Sequence, residues 1–147
     1  MGIAATVGCG GGSSPTAPSP VRAQWNVTAS PSPIIAGGGG YGYQYSADFT
    51  VTVKETSGGV GGNVNFVNAT IRNDTTGVEL ATLNFSATEI IDQAGSNHVA
   101  ARGTLNIPLG FYYTLAWGGR QATLTIAIQL ADDRGNVTNR SLELKVI

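Results

Sequence analysis

The strongest constraint in this chain is a period of two. In residues 41–54, Tyr41, Tyr43, Tyr45, Ala47, Phe49, Val51 and Val53 hold the odd positions, and Gly42, Gln44, Ser46, Asp48, Thr50, Thr52 and Lys54 hold the even ones. Successive side chains of a strand point to opposite faces, so this segment predicts a strand with one apolar face and one wet face. The pattern recurs at Ala122, Leu124, Ile126, Ile128 and Leu130, set against Thr123, Thr125, Ala127, Gln129 and Ala131. It appears a third time at Val99, Ala101, Gly103, Leu105, Ile107 and Leu109. Helical periodicity is nearly absent.

Weaker alternation fills the intervals. Trp25, Val27 and Ala29 alternate until Pro31 and Pro33 stop the run, and Leu142, Leu144 and Val146 alternate at the C-terminus. Val64 and Phe66 share one parity while Ala69 and Ile71 share the other. One extra residue flips a strand's parity, so a β-bulge near Val67 is expected; Val78 and Leu80 switch in the same way to Leu83 and Phe85. Turn-forming residues separate these runs at 37–40, 57–63, 73–77, 93–97, 118–119 and 132–136, the last closing a hairpin between the final two strands. Seven or eight short strands at this spacing predict an all-β, antiparallel β-sandwich. Residues 25–147 resemble an immunoglobulin-like or fibronectin-III-like Greek key, with a jelly roll or another Greek-key sandwich as the alternative. The single Cys means that a Cys…Trp…Cys signature is absent. A module of about 120 residues buries roughly two-thirds of its unfolded surface, enough to fold without a disulfide.

The first 24 residues differ in kind. Residues 10–20 read GGGSSPTAPSP and hold no large apolar group, so ordering them would cost conformational entropy with nothing to offset it. They predict a flexible tether, which continues to about Gln24 and spans roughly 20 Å on average. Just before it, a small apolar stretch ends in Val7-Gly8-Cys9. This junction resembles the lipobox of bacterial lipoproteins, in which a small residue precedes a Cys whose thiol is alkylated with diacylglycerol. The resemblance implies that residues 1–8 are the remnant of a longer signal, that Cys9 is the lipidated N-terminus, and that residues 9–24 tie the sandwich to a membrane. It also implies a bacterial cell-envelope location, at the outer membrane or the cell surface. No run reaches the 18 apolar residues that a transmembrane helix needs.

Composition narrows the chemistry. Charged residues make up 12% of the chain and the formal net charge is −1, which leaves no basic excess for a nucleic-acid partner. One His and one Cys exclude an ordinary zinc site, and no cofactor motif occurs. Asp132 and Asp133 are adjacent in a hairpin and read as solvated turn residues; with Asn136 they suggest at most a calcium site lacking EF-hand spacing. Ser96 and His98 sit two apart, with nothing marking a third catalytic member, and His98 reads as a surface residue. No metal site, cofactor or catalytic set is expected. Six N-x-S/T triplets, at Asn26, Asn68, Asn73, Asn84, Asn136 and Asn139, read as polar strand faces rich in Asn and Thr.

The aromatic residues are the binding candidates. Phe111, Tyr112, Tyr113 and Trp117 precede Gly118, Gly119 and Arg120 between two strands. Phe111, Tyr113 and Leu115 share a parity and are expected to continue the core, leaving Tyr112 and Trp117 over the end of the sandwich. Tyr112, Trp117 and Arg120 are therefore the candidate ligand site; aromatic faces stack on sugar rings or anchor protein partners. Tyr41, Tyr43 and Tyr45 are expected to pack in the core or along a sheet edge. The sequence thus points to a non-catalytic, lipid-anchored surface protein with an interaction or scaffolding domain. A carbohydrate-binding module and a subunit that assembles by strand-edge pairing are the alternatives.

Overall fold

The computed structural model describes Gly12, residues 21–115 and residues 121–147. Among these, the elements in chain order are β1 (Trp25–Ser30), β2 (Gly37–Gly38), β3 (Tyr45–Glu55), β4 (Gly62–Asn73), β5 (Glu79–Ser86), α1 (Ala87–Ala94), β6 (His98–Val99), β7 (Thr104–Tyr113), β8 (Ala122–Asp132) and β9 (Val137–Val146). All strand pairing between them is antiparallel. In one sheet β3 is central: β7 lies along one edge, and β1 and β2 share the other. The second sheet runs β5–β4–β8–β9, with β6 extending the β5 side of β4. The two sheets pack face to face as an all-β sandwich.

Alternation carries the core. On β3, Ala47, Phe49, Val51 and Val53 are buried, and on β8 Leu124, Ile126, Ile128 and Leu130 face them from the opposite sheet. Ile107 and Leu109 on β7 and Val67, Ala69 and Ile71 on β4 complete the inner layer. Each such aliphatic side chain contributes about 1.5–3 kcal/mol by leaving water. The outer face of the second sheet is polar and hydrogen-bonded across its strands, with Arg72 paired to Glu79 at one end. Asn68 donates to Asn84, Asn65 donates to Gln129 at 3.2 Å, and the Thr70 and Thr82 hydroxyls lie 3.0 Å apart.

Pro31 and Pro33, which offer no N–H, end β1, and the chain then changes sheets. Ile34 is fully buried and forms a parallel bridge to Val146. Its N–H donates to the Lys145 carbonyl at 2.8 Å, and the Ile147 N–H donates back to the Ile34 carbonyl at 2.9 Å. This short segment covers part of the outer edge of β9.

Several expectations are corrected. The bulge in β4 falls between Val64 and Phe66, just before the expected position near Val67. Val64 and Val67 therefore both point inward, and Phe66, expected inside with Val64, is 40% exposed. A second register shift, opposite Ile71 and Arg72, accommodates the parity change in β5, and Val78 lies outside that strand, exposed. The alternating run from Val99 to Leu109 is two elements: Val99 belongs to β6 in the second sheet, and the chain turns at 100–103 before β7 begins in the first. Arg102 takes a left-handed φ of 59° at that turn.

The helix α1 was not expected at all. Ser86 caps it, accepting from the Glu89 N–H, while the Glu89 carboxylate accepts from the Ser86 N–H at 2.7 Å. Gly95 closes it with φ 79°, its N–H donating to the Ile91 carbonyl at 2.7 Å. Ile90 is its buried residue.

Candidate ligand-binding site

The loop ahead of β3 departs from a strand. Residues 37–40 were read as a turn, but Gly37 and Gly38 pair with Ser46 and Tyr45 as β2. The reversal lies at Tyr41 and Gly42, whose φ values are +54° and +87°. The Tyr43 N–H donates to the Gly40 carbonyl at 3.0 Å across it. Two successive positive φ values in a two-residue hairpin loop match the twist of the flanking strands. Gly42 adopts this conformation without cost, whereas a bulky tyrosine at Tyr41 is an uncommon occupant.

Tyr41 and Tyr43 are consequently neither in the core nor paired along a sheet edge. Tyr41 is 90% exposed and Tyr43 is 51% exposed. Tyr112, on the outer face of β7, meets both. Its ring lies 5.5 Å from that of Tyr41 in an edge-to-face arrangement and 6.2 Å from that of Tyr43, nearly parallel. Gln44 ties the hairpin to the end of β7: its N–H donates to Thr114 Oγ1 and its Oε1 accepts from the Leu115 N–H, both at 3.3 Å. Beneath, Tyr45 packs on Tyr113 with ring centroids 5.5 Å apart, and Phe49 on Phe111 at 5.9 Å. The three exposed rings and the two packed aromatic pairs thus lie on opposite faces of the same end of the sheet. Phe111, Tyr113 and Leu115 are buried, as their shared parity predicts.

Of the three sequence-derived ligand candidates, Tyr112 is exposed in this cluster, and Trp117 and Arg120 lie outside the described residues, as does Cys9. Tyr41 and Tyr43 were missed because their parity continues the β3 pattern unbroken. The usable signal was the Tyr41-Gly42 pair following four glycines.

At the opposite end of β3 the ionisable groups are structural. Glu55 is fully buried and accepts from the N–H groups of Gln24, Ser57, Gly58 and Arg102, and from the Ser57 hydroxyl. Burial alone would raise its pKa, but the donors from Arg102, Ser57, Gln24 and Gly58 outweigh that effect and hold it at about 2. Asp132 is buried too, contrary to its reading as a solvated turn residue. Its carboxylate accepts from the N–H groups of Arg134 at 3.0 Å and Asn136 at 2.9 Å, from the Asn136 side-chain amide, and from Ala23. Burial pushes the carboxyl up, while the donors of Asn136, Ala23 and Arg134 bring it below the usual carboxylate range. Asp133 is exposed and lies 3.3 Å from His98 Nε2. The three residues of the conceivable calcium site are thus divided between a hairpin cap and a surface pair. Ser96 Oγ accepts from the His98 backbone N–H at 2.9 Å, which makes it a turn-forming group.

No protein family and no curated protein matches the chain by sequence. Among solved structures, it is similar to a structural-genomics target, SoR45, with a TM-score of 0.58 and 9% identity over 83% of this chain and 84% of that one. Spo0M, a sporulation control protein from Bacillus subtilis, aligns with a TM-score of 0.45 and 11% identity over 84% of this chain and 49% of its own. The Pseudomonas fluorescens alkylpurine DNA glycosylase AlkC, bound to DNA containing an abasic site analog, aligns at 0.41 and 12% identity over 84% of this chain and 30% of its own. The likeness to SoR45 is one of fold; the two looser alignments add nothing to it.

Proposed function

We propose that this chain is a lipid-tethered, non-catalytic binding domain of a bacterial cell envelope, presenting its tyrosine cluster away from the membrane. The observation that carries this reading is the position of that cluster relative to the tether. The chain enters β1 at Trp25, which pairs with Glu55, and Gln24 is held by the Glu55 carboxylate. Tyr41, Tyr43 and Tyr112 gather at the other end of β3, where Tyr45 pairs with Tyr113 and Ser46 with Tyr112. Eleven residues of strand separate the two ends, about 33 Å at strand rise. A domain tied at one pole to a surface exposes the opposite pole to whatever lies beyond.

The anchor itself rests on the sequence around Cys9 and on the Gly/Ser/Pro composition of residues 10–20; the tether expected to continue to about Gln24 ends earlier, since Ala23 and Gln24 are bonded to the sandwich. We also read the sandwich as immunoglobulin-like. In such domains the A, B and E strands share one sheet and C, F and G the other. The orders β1–β3–β7 and β4–β8–β9 fit that scheme, with β5 beside β4 where variable-type domains add strands.

The test is the mass of the mature protein expressed from its native locus in a bacterium. The expected product begins at Cys9 and carries diacylglyceryl mass, and Cys9→Ala releases it from the membrane fraction. A product that retains residues 1–8 and gains no lipid overturns the tethered reading.

A further inference from the structure

We infer that the tyrosine pole, together with the depression it leads into, binds an uncharged oligosaccharide. This rests on the binding-domain reading above and names the ligand class of the same site. Tyr112 stands at one end of a row on the outer face of β7, where Gly110 and Pro108 follow at alternate positions. Opposite them on β3 lie Asp48 and Thr50, which pair with Gly110 and Pro108. Asp48, Thr50, Pro108 and Gly110, with Ser30 and Gln93, line an open depression of about 450 Å³, and Tyr112 stands outside it, two residues beyond Gly110 on the same face of β7. From Tyr112 to Pro108 the row covers about 13 Å at strand rise, room for roughly two or three linked sugar rings.

Each part suits that ligand. A pyranose has an apolar C–H face and a rim of hydroxyls, so it stacks on an aromatic ring while its edge seeks acceptors and donors. Tyr112 offers a half-exposed ring, with Tyr43 stacked beside it and Tyr41 meeting it edge to face. Gly110 has no side chain, and the Asp48 carboxylate folds over its Cα, placing an acceptor on the floor of the depression. Thr50 and Gln93 supply further hydroxyl and amide groups. Asp48 is the one formal charge among the described residues of the cluster and the depression, which disfavours an anionic glycan.

The three tyrosines expose roughly 350–400 Å² between them, reckoned from about 200 Å² per ring, an apolar area on which sugar rings can stack. Backbone conformation adds a second observation: a bulky residue held at positive φ and 90% exposed spends stability on placing a ring in solvent.

The experiment uses the full chain, titrated with neutral hexasaccharides of glucose, xylose, mannose and N-acetylglucosamine, the corresponding monosaccharides, and polygalacturonate as an anionic control. At least one neutral hexasaccharide is expected to bind, roughly tenfold or more tighter than its monosaccharide and in preference to polygalacturonate. Tyr112→Ala and Asp48→Asn are each expected to weaken that binding roughly five- to tenfold. Tyr41→Asn, which the turn accepts readily, is expected to weaken it while leaving the fold at least as stable as the wild type. Failure to bind any neutral hexasaccharide at millimolar concentration overturns the inference and leaves the pole to a protein partner. Binding unchanged in all three variants, or stronger binding to polygalacturonate, overturns it as well. A chain that carries lipid but binds no glycan defeats only this inference, and one that binds glycan without lipid defeats only the tether.

Discussion

The backbone N–H of Arg102 donates to Glu55 Oε2 at 3.0 Å, joining two residues 47 apart in the chain. That bond fastens the crossover between β6 and β7 to the end of β3. The same carboxylate holds Gln24, just ahead of β1, and the turn at Ser57 and Gly58. One side chain therefore fixes three segments at this end of the sandwich.

Glu55→Gln is expected to destabilise the fold by about 2–3 kcal/mol in urea unfolding at neutral pH. An amide in that place turns an N–H₂ group toward donors that need an acceptor.

Acid should reveal the same group. The folded pKa of about 2 lies below the reference value of 4.5, so the folded state favours the ionised form. Its contribution to stability is complete above pH 4.5 and is lost as the pH falls from there through about 2. Unfolding curves along that range should show a steep acid limb in the wild type and a shallower one in Glu55→Gln. Equal slopes would mean that other carboxylates govern the limb.

Two glycines should respond in opposite ways to the same substitution. A Cβ on Gly62 would clash with the Ala131 carbonyl and stand 2.7 Å from Asp132 Cα and 2.9 Å from Trp25 Cζ2. Gly62→Ala is expected to cost about 2–4 kcal/mol, because backbone on two elements must move. At Gly110 the obstructing atom is the end of the Asp48 side chain, which can swing away. Gly110→Ala should stay within about 0.5 kcal/mol of wild type. Paired thermal melts compare the two.

Tyr41→Asn is expected to raise stability by about 1 kcal/mol, since Asn tolerates the left-handed region that Tyr41 occupies with φ +54°. Denaturant midpoints measure this. A gain in stability accompanied by weaker glycan binding would identify Tyr41 as a residue kept for function.

Ser86→Ala removes the cap of α1 and is expected to cost about 1 kcal/mol, while Ile90→Ala, at a fully buried position, should cost about 2–4 kcal/mol. Protection from hydrogen exchange across residues 87–94 should fall first in the capping variant.

The strands were legible wherever one face is buried, because alternation at β3 and β8 then records the fold residue by residue. The same rule misled at two places. Val99 and Leu105 share a parity although they belong to different sheets, since parity carries no record of a turn between them. Tyr41 and Tyr43 continue the rhythm of β3 from outside it. The helix had a local signature in Ser86, Glu89 and Gly95, but eight residues hold too few turns to register as helical periodicity. Of the proposed site, Tyr112 was identified from sequence, while its two ring partners, the depression at Gly110 and the Asp48 carboxylate were not.

Sequence alone determined the all-β character and the apolar faces, because each follows from the chemistry of neighbours along the chain. Tertiary structure decided which sheet each strand joins and that Glu55 and Asp132 are buried caps. It also decided that tyrosines from residues 41–43 meet Tyr112. Those are contacts between residues far apart in the chain, set by how two sheets pack and where the backbone reverses, and no local pattern of side chains encodes them.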